Sequence, residues 1–117
     1  LDSMPACMEA AALAKMAERG QIKGCIADGP LALDVAIDKE SVEIKKLTSP
    51  VAGDADCLVF PNIESANVFW KTNSKLAPGV RQAGMLVGTT APCILASRAD
   101  SVDTKLNSIA EAVMSVK

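Results

Sequence analysis

The richest set of side chains suited to chemistry follows the apolar run that ends at residue 96. Ser97 and Arg98 come directly after that run, and Ser101 and Asp103 begin an amphipathic stretch. An arginine offers a fork of donors for phosphate, and a serine hydroxyl can donate to an oxygen that develops charge. Helix N-termini add free N–H groups that favour anions. The loop predicts anion binding. The alternative is a surface pair of Arg98 with Asp100 or Asp103, with routine capping by Ser101.

Two earlier loops carry further candidates. Asp28-Gly29-Pro30 is interpreted either as a shaped loop whose carboxylate faces a site or as a turn with Asp28 as a helix cap, and the local pattern favours the turn. Asn62 is explained by a capping role. Asn67 lies on an otherwise apolar helical stretch, where a buried amide needs partners, so it either binds a substrate or braces a neighbouring loop.

Composition excludes several classes of function. The chain contains no histidine, which removes Ser-His-Asp and Cys-His catalysis and the zinc sites that contain histidine. A net charge of −2 and 3% aromatic residues argue against nucleic-acid binding. No apolar run approaches the roughly 20 residues of a membrane span. The cysteines all lie near apolar residues, which predicts buried free thiols of a reduced, cytoplasmic protein, without disulfides or zinc: Cys7, Cys25, Cys57 and Cys93.

The elements that must position these loops are predicted to alternate along one α/β domain. Helices are predicted at 4–19 with Ser3 as N-cap, at 31–37, around 39–46, from Asn62 to about 76, and from Ser101 to about 116. Apolar strands are predicted at 22–27, 57–60, 83–88 and 92–96. Continuously apolar strands indicate burial on both faces, in a mainly parallel sheet flanked by helices. The last two strands form either an antiparallel hairpin or parts of different sheet regions, because their link is too short for a parallel crossover.

The loops, taken in this order, resemble the carboxyl-terminal part of the phosphate acyltransferases, the family of phosphate acetyltransferase and phosphate butyryltransferase. The matching stretches are 28–34, 49–56, 60–67 with Lys71, 97–101 and 104–108. The forms Ser-Pro-Val-Ala-Gly-Asp-Ala-Asp and Ser-Arg-Ala-Asp-Ser resemble the butyryl branch more than the acetyl branch.

The resemblance implies a reversible reaction in which acyl-CoA and phosphate give acyl phosphate and CoA. The CoA thiolate attacks the acyl carbonyl directly, without a metal or a covalent enzyme intermediate. The partners would be coenzyme A as substrate, phosphate and acyl phosphate, with no cofactor, nucleic acid or membrane, and the enzyme would be a homodimer. The implied fold is that of the isocitrate and isopropylmalate dehydrogenases, with only the carboxyl-terminal part present.

The resemblance also implies residue roles. Arg98 would bind the phosphate end of the acyl phosphate, and Ser97 would stabilise the transition state. The acetyl branch places its base seven residues after the serine, where this chain has Thr104, so Asp103 and Asp100 are both hypotheses for the base. Substrate-binding residues are expected at Asp28, Gly29, Pro30, Asn62, Asn67, Asp100 and Ser101.

Family members are longer than this chain, which begins at Leu1. We therefore expect residues 1–117 to be the carboxyl-terminal portion of a longer two-domain enzyme, with negligible transferase activity alone. Two alternatives stay open. One is a relative that has changed its acyl specificity or lost activity, and the other is a non-catalytic α/β module that binds CoA or a nucleotide.

Overall fold

Helices make up the regular structure in the computed structural model, which describes residues 1–116. There are five in this range: α1 (Pro5–Glu18), α2 (Leu33–Ile37), α3 (Lys39–Lys45), α4 (Ile63–Leu76) and α5 (Val102–Met114). The chain divides into two compact units, one from Leu1 to Pro61 and one that starts at Asn62. The first unit holds α1 to α3, and the second holds α4 and α5.

α1 is confirmed within one residue at each end. Its N-cap is Met4, which makes no side-chain capping bond, so the cap predicted at Ser3 is wrong. Pro5 occupies the first turn, where backbone N–H groups have no intrahelical acceptor, so proline loses no helical hydrogen bond there. The helix ends at Glu18, Arg19 is its C-cap, and Gly20 follows at the predicted C′ position with φ +73°. The Gly20 N–H donates to the carbonyl of Ala17 at 2.9 Å, which satisfies one of the last carbonyls of the helix.

α2 starts later than predicted, while α3 lies where it was predicted. The N-cap of α2 is Ala32, without a side-chain bond, so Asp28 does not cap this helix. Asp38 caps α3, and its carboxylate accepts the Ser41 N–H at 2.9 Å. This bond satisfies one of the free N–H groups of the first turn.

Backbone bonds to α2 fix the turn that follows α3. Val35 and Ala36 of α2 are both buried. The carbonyl of Val35 accepts the Gly53 N–H at 2.8 Å, and the carbonyl of Ala36 accepts the Ala55 N–H at 3.1 Å. Gly53 has φ +75°, a conformation that other residues rarely adopt, so the turn depends on glycine at this position.

The caps predicted for α4 and α5 are confirmed. Asn62 accepts the Ser65 N–H at 2.9 Å, and Ser101 accepts the Thr104 N–H at 3.1 Å. Each cap places the polar loop before its helix next to a row of backbone N–H groups. Those loops are the ones that the sequence singled out.

The predicted strands are mostly absent from residues 1–116. Segments 22–27 and 57–60 form no strand, and the β-contact in this range is one antiparallel bridge between Leu86 and Cys93. The Leu86 N–H donates to the Cys93 carbonyl at 2.9 Å, which favours the antiparallel alternative for the last two strands. A strand needs a hydrogen-bonded neighbour, and apolar, β-branched composition does not provide one.

The prediction that these segments are buried on both faces is wrong for the described residues. Ile26 is 72% exposed, Val59 86% and Leu95 78%. The cysteines are free thiols, of which Cys7 is half-buried and the other three are exposed, so their predicted burial is wrong as well. Among residues 1–116 no helix has both the length and the apolar character needed to cross a membrane.

Candidate active site

The loop between the Cys93 segment and α5 closes on itself through Ser97 and Asp100. The Ser97 N–H donates to Oδ2 of Asp100 at 2.8 Å, and the Asp100 N–H donates to the Ser97 carbonyl at 3.1 Å. The Ser97 hydroxyl oxygen accepts the Ala99 N–H at 3.4 Å. Because that oxygen acts there as an acceptor, the hydroxyl proton can still be donated to another group.

Two lysines of α4 hold the same loop from outside. Nζ of Lys71 lies 3.6 Å from Oδ1 of Asp100, whose side chain is only 9% exposed. Nζ of Lys75 donates to the carbonyl of Ala99 at 3.2 Å. Residues four apart lie on one face of a helix, so a single face of α4 supplies both contacts. Sequence reasoning missed Lys75 altogether and met Lys71 only in the resemblance, although their spacing is a signal that could have found the face.

Arg98 lies between the residues of this closed loop and is exposed. The predicted surface pair of Arg98 with Asp100 does not form, because Asp100 is paired with Lys71. Within residues 1–116, Arg98 makes neither an ion pair nor a side-chain hydrogen bond. Its guanidinium group is therefore available to an anion from solution.

The first turn of α5 presents two further candidates. The Ser101 hydroxyl caps the helix and lies 3.0 Å from the Thr104 hydroxyl. Asp103 is exposed in the first turn and, within the described residues, makes no ion pair. Thr104, at the register of the expected base, is thus engaged with the cap, whereas the neighbouring carboxylate is open to solvent.

At the head of α4, Asn62 and Asn67 differ in environment. The side-chain oxygen of Asn62 accepts the capping hydrogen bond, and the amide NH₂ group takes no part in that bond. Asn67 is exposed, so the premise that it is a buried amide is wrong. An exposed asparagine needs no partner from the protein, and its presence on the helix requires no bracing role.

The loop Asp28-Gly29-Pro30 belongs to the first unit and is described with that unit alone. Oδ1 of Asp28 accepts the Gly29 N–H at 2.8 Å, and the Gly29–Pro30 peptide bond is cis. Asp28 and Gly29 line an open depression of about 460 Å³, together with Lys15 of α1 and other residues. A Cβ added to Gly29 would lie 3.1 Å from the Cβ of Ala10, so glycine permits the close approach to α1.

The loop closes on itself and exposes Arg98, which is unpaired within residues 1–116, just before α5, an arrangement suited to binding an anion. No group of three or more metal-ligating side chains occurs in the part of the chain that the structure describes. The chain belongs to the phosphate acetyl/butaryl transferase family, whose model matches residues 2–113. The resemblance noted in the sequence is thereby confirmed.

Relatives from both branches of the family are similar to the chain. It is 56% identical over 112 residues to the phosphate butyryltransferase of Clostridium beijerinckii, and the alignment covers 96% of this chain and 37% of that protein. It is 51% identical over 107 residues to the phosphate acetyltransferase of Thermotoga maritima, covering 92% and 36% respectively. The chain thus spans little more than a third of the length of these relatives.

A solved structure shows the same arrangement of backbone. The crystal structure of a branched-chain phosphotransacylase from Enterococcus faecalis matches with a TM-score of 0.83 and 34% identity, over 97% of this chain and 40% of that one. The match assigns the chain to the fold of part of a phosphotransacylase, even though the described residues contain a single β-bridge.

Proposed function

We propose that the chain is part of an enzyme that moves a short-chain acyl group reversibly between CoA and inorganic phosphate, with butyryl as the preferred group. The observation that carries this proposal is the exposed, unpaired Arg98 next to Ser97 in a self-closed loop at the start of α5. Membership of the family and 56% identity to a butyryltransferase support it. Coenzyme A is a substrate in this scheme and not a bound cofactor.

The proposed chemistry follows from the two neighbouring side chains. The thiolate of CoA attacks the carbonyl carbon of the acyl phosphate, a C–S bond forms, the C–O bond to phosphate breaks, and phosphate leaves. Arg98 binds the phosphate group with charge-assisted hydrogen bonds and stabilises the charge of the leaving group. The Ser97 hydroxyl donates to the carbonyl oxygen as negative charge develops there.

Asp103 is the better supported of the two hypotheses for the base. The thiol proton must pass to a carboxylate that a substrate can reach. Asp103 is exposed, whereas one oxygen of Asp100 accepts the Ser97 N–H and the other lies against Lys71. We expect Asp103→Asn to lower the rate of acyl-CoA formation from acyl phosphate and CoA, while an unchanged rate together with an unchanged pH–rate profile would exclude Asp103 as the base.

The remaining residue roles and properties stay proposals drawn from the resemblance. Substrate contacts are assigned to Asp28, Gly29, Pro30, Asn62, Asn67, Asp100 and Ser101. Residues 1–117 would be the carboxyl-terminal portion of a longer two-domain enzyme with the isocitrate dehydrogenase type of α/β fold. A homodimer and a cytoplasmic location are proposed with it. Light scattering of the complete enzyme tests the dimer.

The proposal is tested by replacing the matching segment of the Clostridium relative with this chain and following CoA release from butyryl-CoA and acetyl-CoA in phosphate. We expect turnover with both substrates, faster with butyryl-CoA, and a loss of about 100-fold in kcat/KM for Arg98→Gln. Arg81→Gln is the matched control, because Arg81 is an exposed arginine of the same unit outside the loop.

Two results would contradict the proposal. A stable, folded chimera that releases no CoA would show that the segment does not support transfer. A chimera in which Arg98→Gln and Arg81→Gln behave alike would show that Arg98 is not the phosphate-binding group. The 117-residue chain assayed alone is expected to show negligible turnover.

A further inference from the structure

We infer that Lys71 and Asp100 form a positioning pair that holds Ser97 and keeps Arg98 free for the phosphate group. The inference rests on the proposed acyltransferase function and gives Asp100 a role other than contact with the substrate. Neither residue is argued to touch the reacting atoms. Each acts through the loop that carries Ser97 and Arg98.

The first step concerns the hydrogen bonds between Asp100 and the backbone of Ser97. Oδ2 of Asp100 accepts the Ser97 N–H at 2.8 Å, and the Asp100 N–H returns a bond of 3.1 Å to the Ser97 carbonyl. Both backbone groups of Ser97 are therefore fixed by one residue three positions later. This ring sets the direction in which Arg98 leaves the loop, because Arg98 lies inside it.

The second step is the charge of Asp100. Its side chain is 9% exposed, so its carboxylate is largely removed from water, and leaving such a charge unpaired costs free energy. Lys71 lies 3.6 Å from Oδ1 and supplies the opposite charge. Arg98 is the cation nearest to Asp100 in sequence, two residues away. If Lys71 is removed, Arg98 becomes the next candidate partner for the carboxylate.

The third step follows for the anion site. A carboxylate that is not neutralised repels phosphate and attracts the guanidinium group that should bind phosphate. Lys71 removes both effects, because it takes up the charge of Asp100 from the side of α4. The lysine thus keeps the surface pair that the sequence suggested for Arg98 and Asp100 from forming.

The geometry also separates the pair from Lys75. Lys75 contacts the backbone carbonyl of Ala99 at 3.2 Å and does not neutralise a carboxylate. Its removal weakens the attachment of the loop to α4 but leaves the charge of Asp100 balanced. Lys75→Met is therefore a matched control for Lys71→Met, on the same helix face and against the same loop.

Steady-state kinetics of the chimera with the Clostridium relative test the charge step. We expect Lys71→Met to raise the KM for phosphate about tenfold with a smaller change in kcat, since the lost Coulomb interaction acts on anion binding. Lys71→Arg should restore most of the affinity. Lys75→Met should change the KM for phosphate less than twofold, within the small effect of an exposed contact.

A double-mutant cycle tests whether the two residues act as a pair. In Asp100→Asn the carboxylate is gone, while the amide oxygen can still accept the Ser97 N–H. We expect Lys71→Met to add no further rise in KM in that background. Full additivity of the two changes would overturn the inference, because independent residues give additive effects.

Measurements on the 117-residue chain keep the inference separate from the proposed function. The Ser97 amide should exchange its hydrogen at least about tenfold faster in Asp100→Ala than in the unmodified chain. Titration with inorganic phosphate, followed at the Arg98 side chain by NMR, should show weaker binding for Lys71→Met and unchanged binding for Lys75→Met.

The outcomes are distinguishable. An unmodified chimera without turnover contradicts the acyltransferase function, and the exchange and phosphate titrations then still decide on the pair. Unchanged Ser97 exchange in Asp100→Ala, or unchanged phosphate affinity in Lys71→Met, overturns the positioning pair whether or not the chimera is active.

Discussion

Ser108 and Gly84 are joined by a hydrogen bond that fixes the segment before the Leu86–Cys93 bridge to α5. The Gly84 N–H donates to the Ser108 hydroxyl oxygen at 3.0 Å, and the same hydroxyl donates to the Thr104 carbonyl at 2.7 Å. Ser108 is only 3% exposed. One hydroxyl therefore satisfies a backbone group of each segment, and it does so one turn away from the candidate active-site residues of α5.

We expect Ser108→Ala to lower the free energy of unfolding by about 1–3 kcal/mol, because it leaves the Gly84 N–H without its acceptor. Urea denaturation of the chain measures the change. Ser3→Ala is the control, since Ser3 is exposed, its side chain makes no hydrogen bond within residues 1–116, and its loss should cost no more than about 0.5 kcal/mol. Equal effects of the two substitutions would show that the buried bond contributes nothing specific.

A second prediction compares two glycines with the same backbone conformation. Gly53 has φ +75° and Gly79 has φ +76°, so alanine is strained at both. A Cβ at Gly53 would lie 2.8 Å from Cγ and 3.1 Å from Cα of Lys39, whereas a Cβ at Gly79 meets nothing within 4 Å. Gly79→Ala should therefore report the cost of the left-handed conformation alone, about 1–2 kcal/mol.

Gly53→Ala should cost more than Gly79→Ala, because backbone atoms of α3 must move as well. The bond from the Gly53 N–H to the Val35 carbonyl would be disturbed by the same movement. The difference between their unfolding free energies, measured by urea denaturation, isolates the clash. Indistinguishable values would mean that α3 moves away from the added methyl group without loss of unfolding free energy.

The helices were predictable from sequence because their determinants are local. Asn62 and Ser101 were expected as caps three residues before the N–H groups that they accept, and both bonds are present. Gly20 follows the C-cap of α1 in the left-handed conformation, as expected. Strands were not predictable in this way, since a run such as 57–60 becomes a strand only if another segment lies against it.

The candidate site shows the same division. Ser97 and Arg98 were singled out by residue type and by their place before a helix. The pairing of Asp100 with Lys71 was not predicted from the sequence, because Lys71 lies far from Asp100 in the chain and Arg98 lies much nearer. The prediction that apolar segments are buried was wrong for a related reason. An apolar pattern such as that of α5 indicates which face avoids water, but it does not indicate which segment covers that face.

A third prediction concerns acid stability of the first unit. The hydrogen bond from Lys45 holds the pKa of Asp34 below its ordinary value of 3.8, and the hydrogen bonds from Ser41 lower the pKa of Asp38 in the same way. A carboxyl whose pKa is depressed on folding stabilises the fold above its unfolded pKa. That stabilisation is lost as the pH falls below about 3.8 through the folded values.

Carboxyl NMR titration of the chain checks these shifts. Lys45→Met should return the pKa of Asp34 towards 3.8 and leave that of Asp38 lowered, while Ser41→Ala should do the reverse, so each variant is the control for the other. A pKa of Asp34 that is unchanged in Lys45→Met would show that the lysine does not set it.

The last prediction separates the capping role of Asn62 from its proposed contact with a substrate. Its side-chain oxygen accepts the Ser65 N–H at 2.9 Å, and its amide NH₂ group is left as the donor that can bind a ligand. Asn62→Asp keeps the capping oxygen and removes the NH₂ donor. It should leave the free energy of unfolding nearly unchanged and raise the KM of the chimera for CoA or phosphate.

Asn62→Ala loses both groups and should lower the free energy of unfolding by about 1 kcal/mol in addition to raising KM. Asn62→Ser, which restores a capping oxygen without an amide, should recover the stability and not the KM. If Asn62→Asp and Asn62→Ser both show the unmodified KM, the residue is a cap alone, because substrate binding is then unaffected by removal of the NH₂ donor.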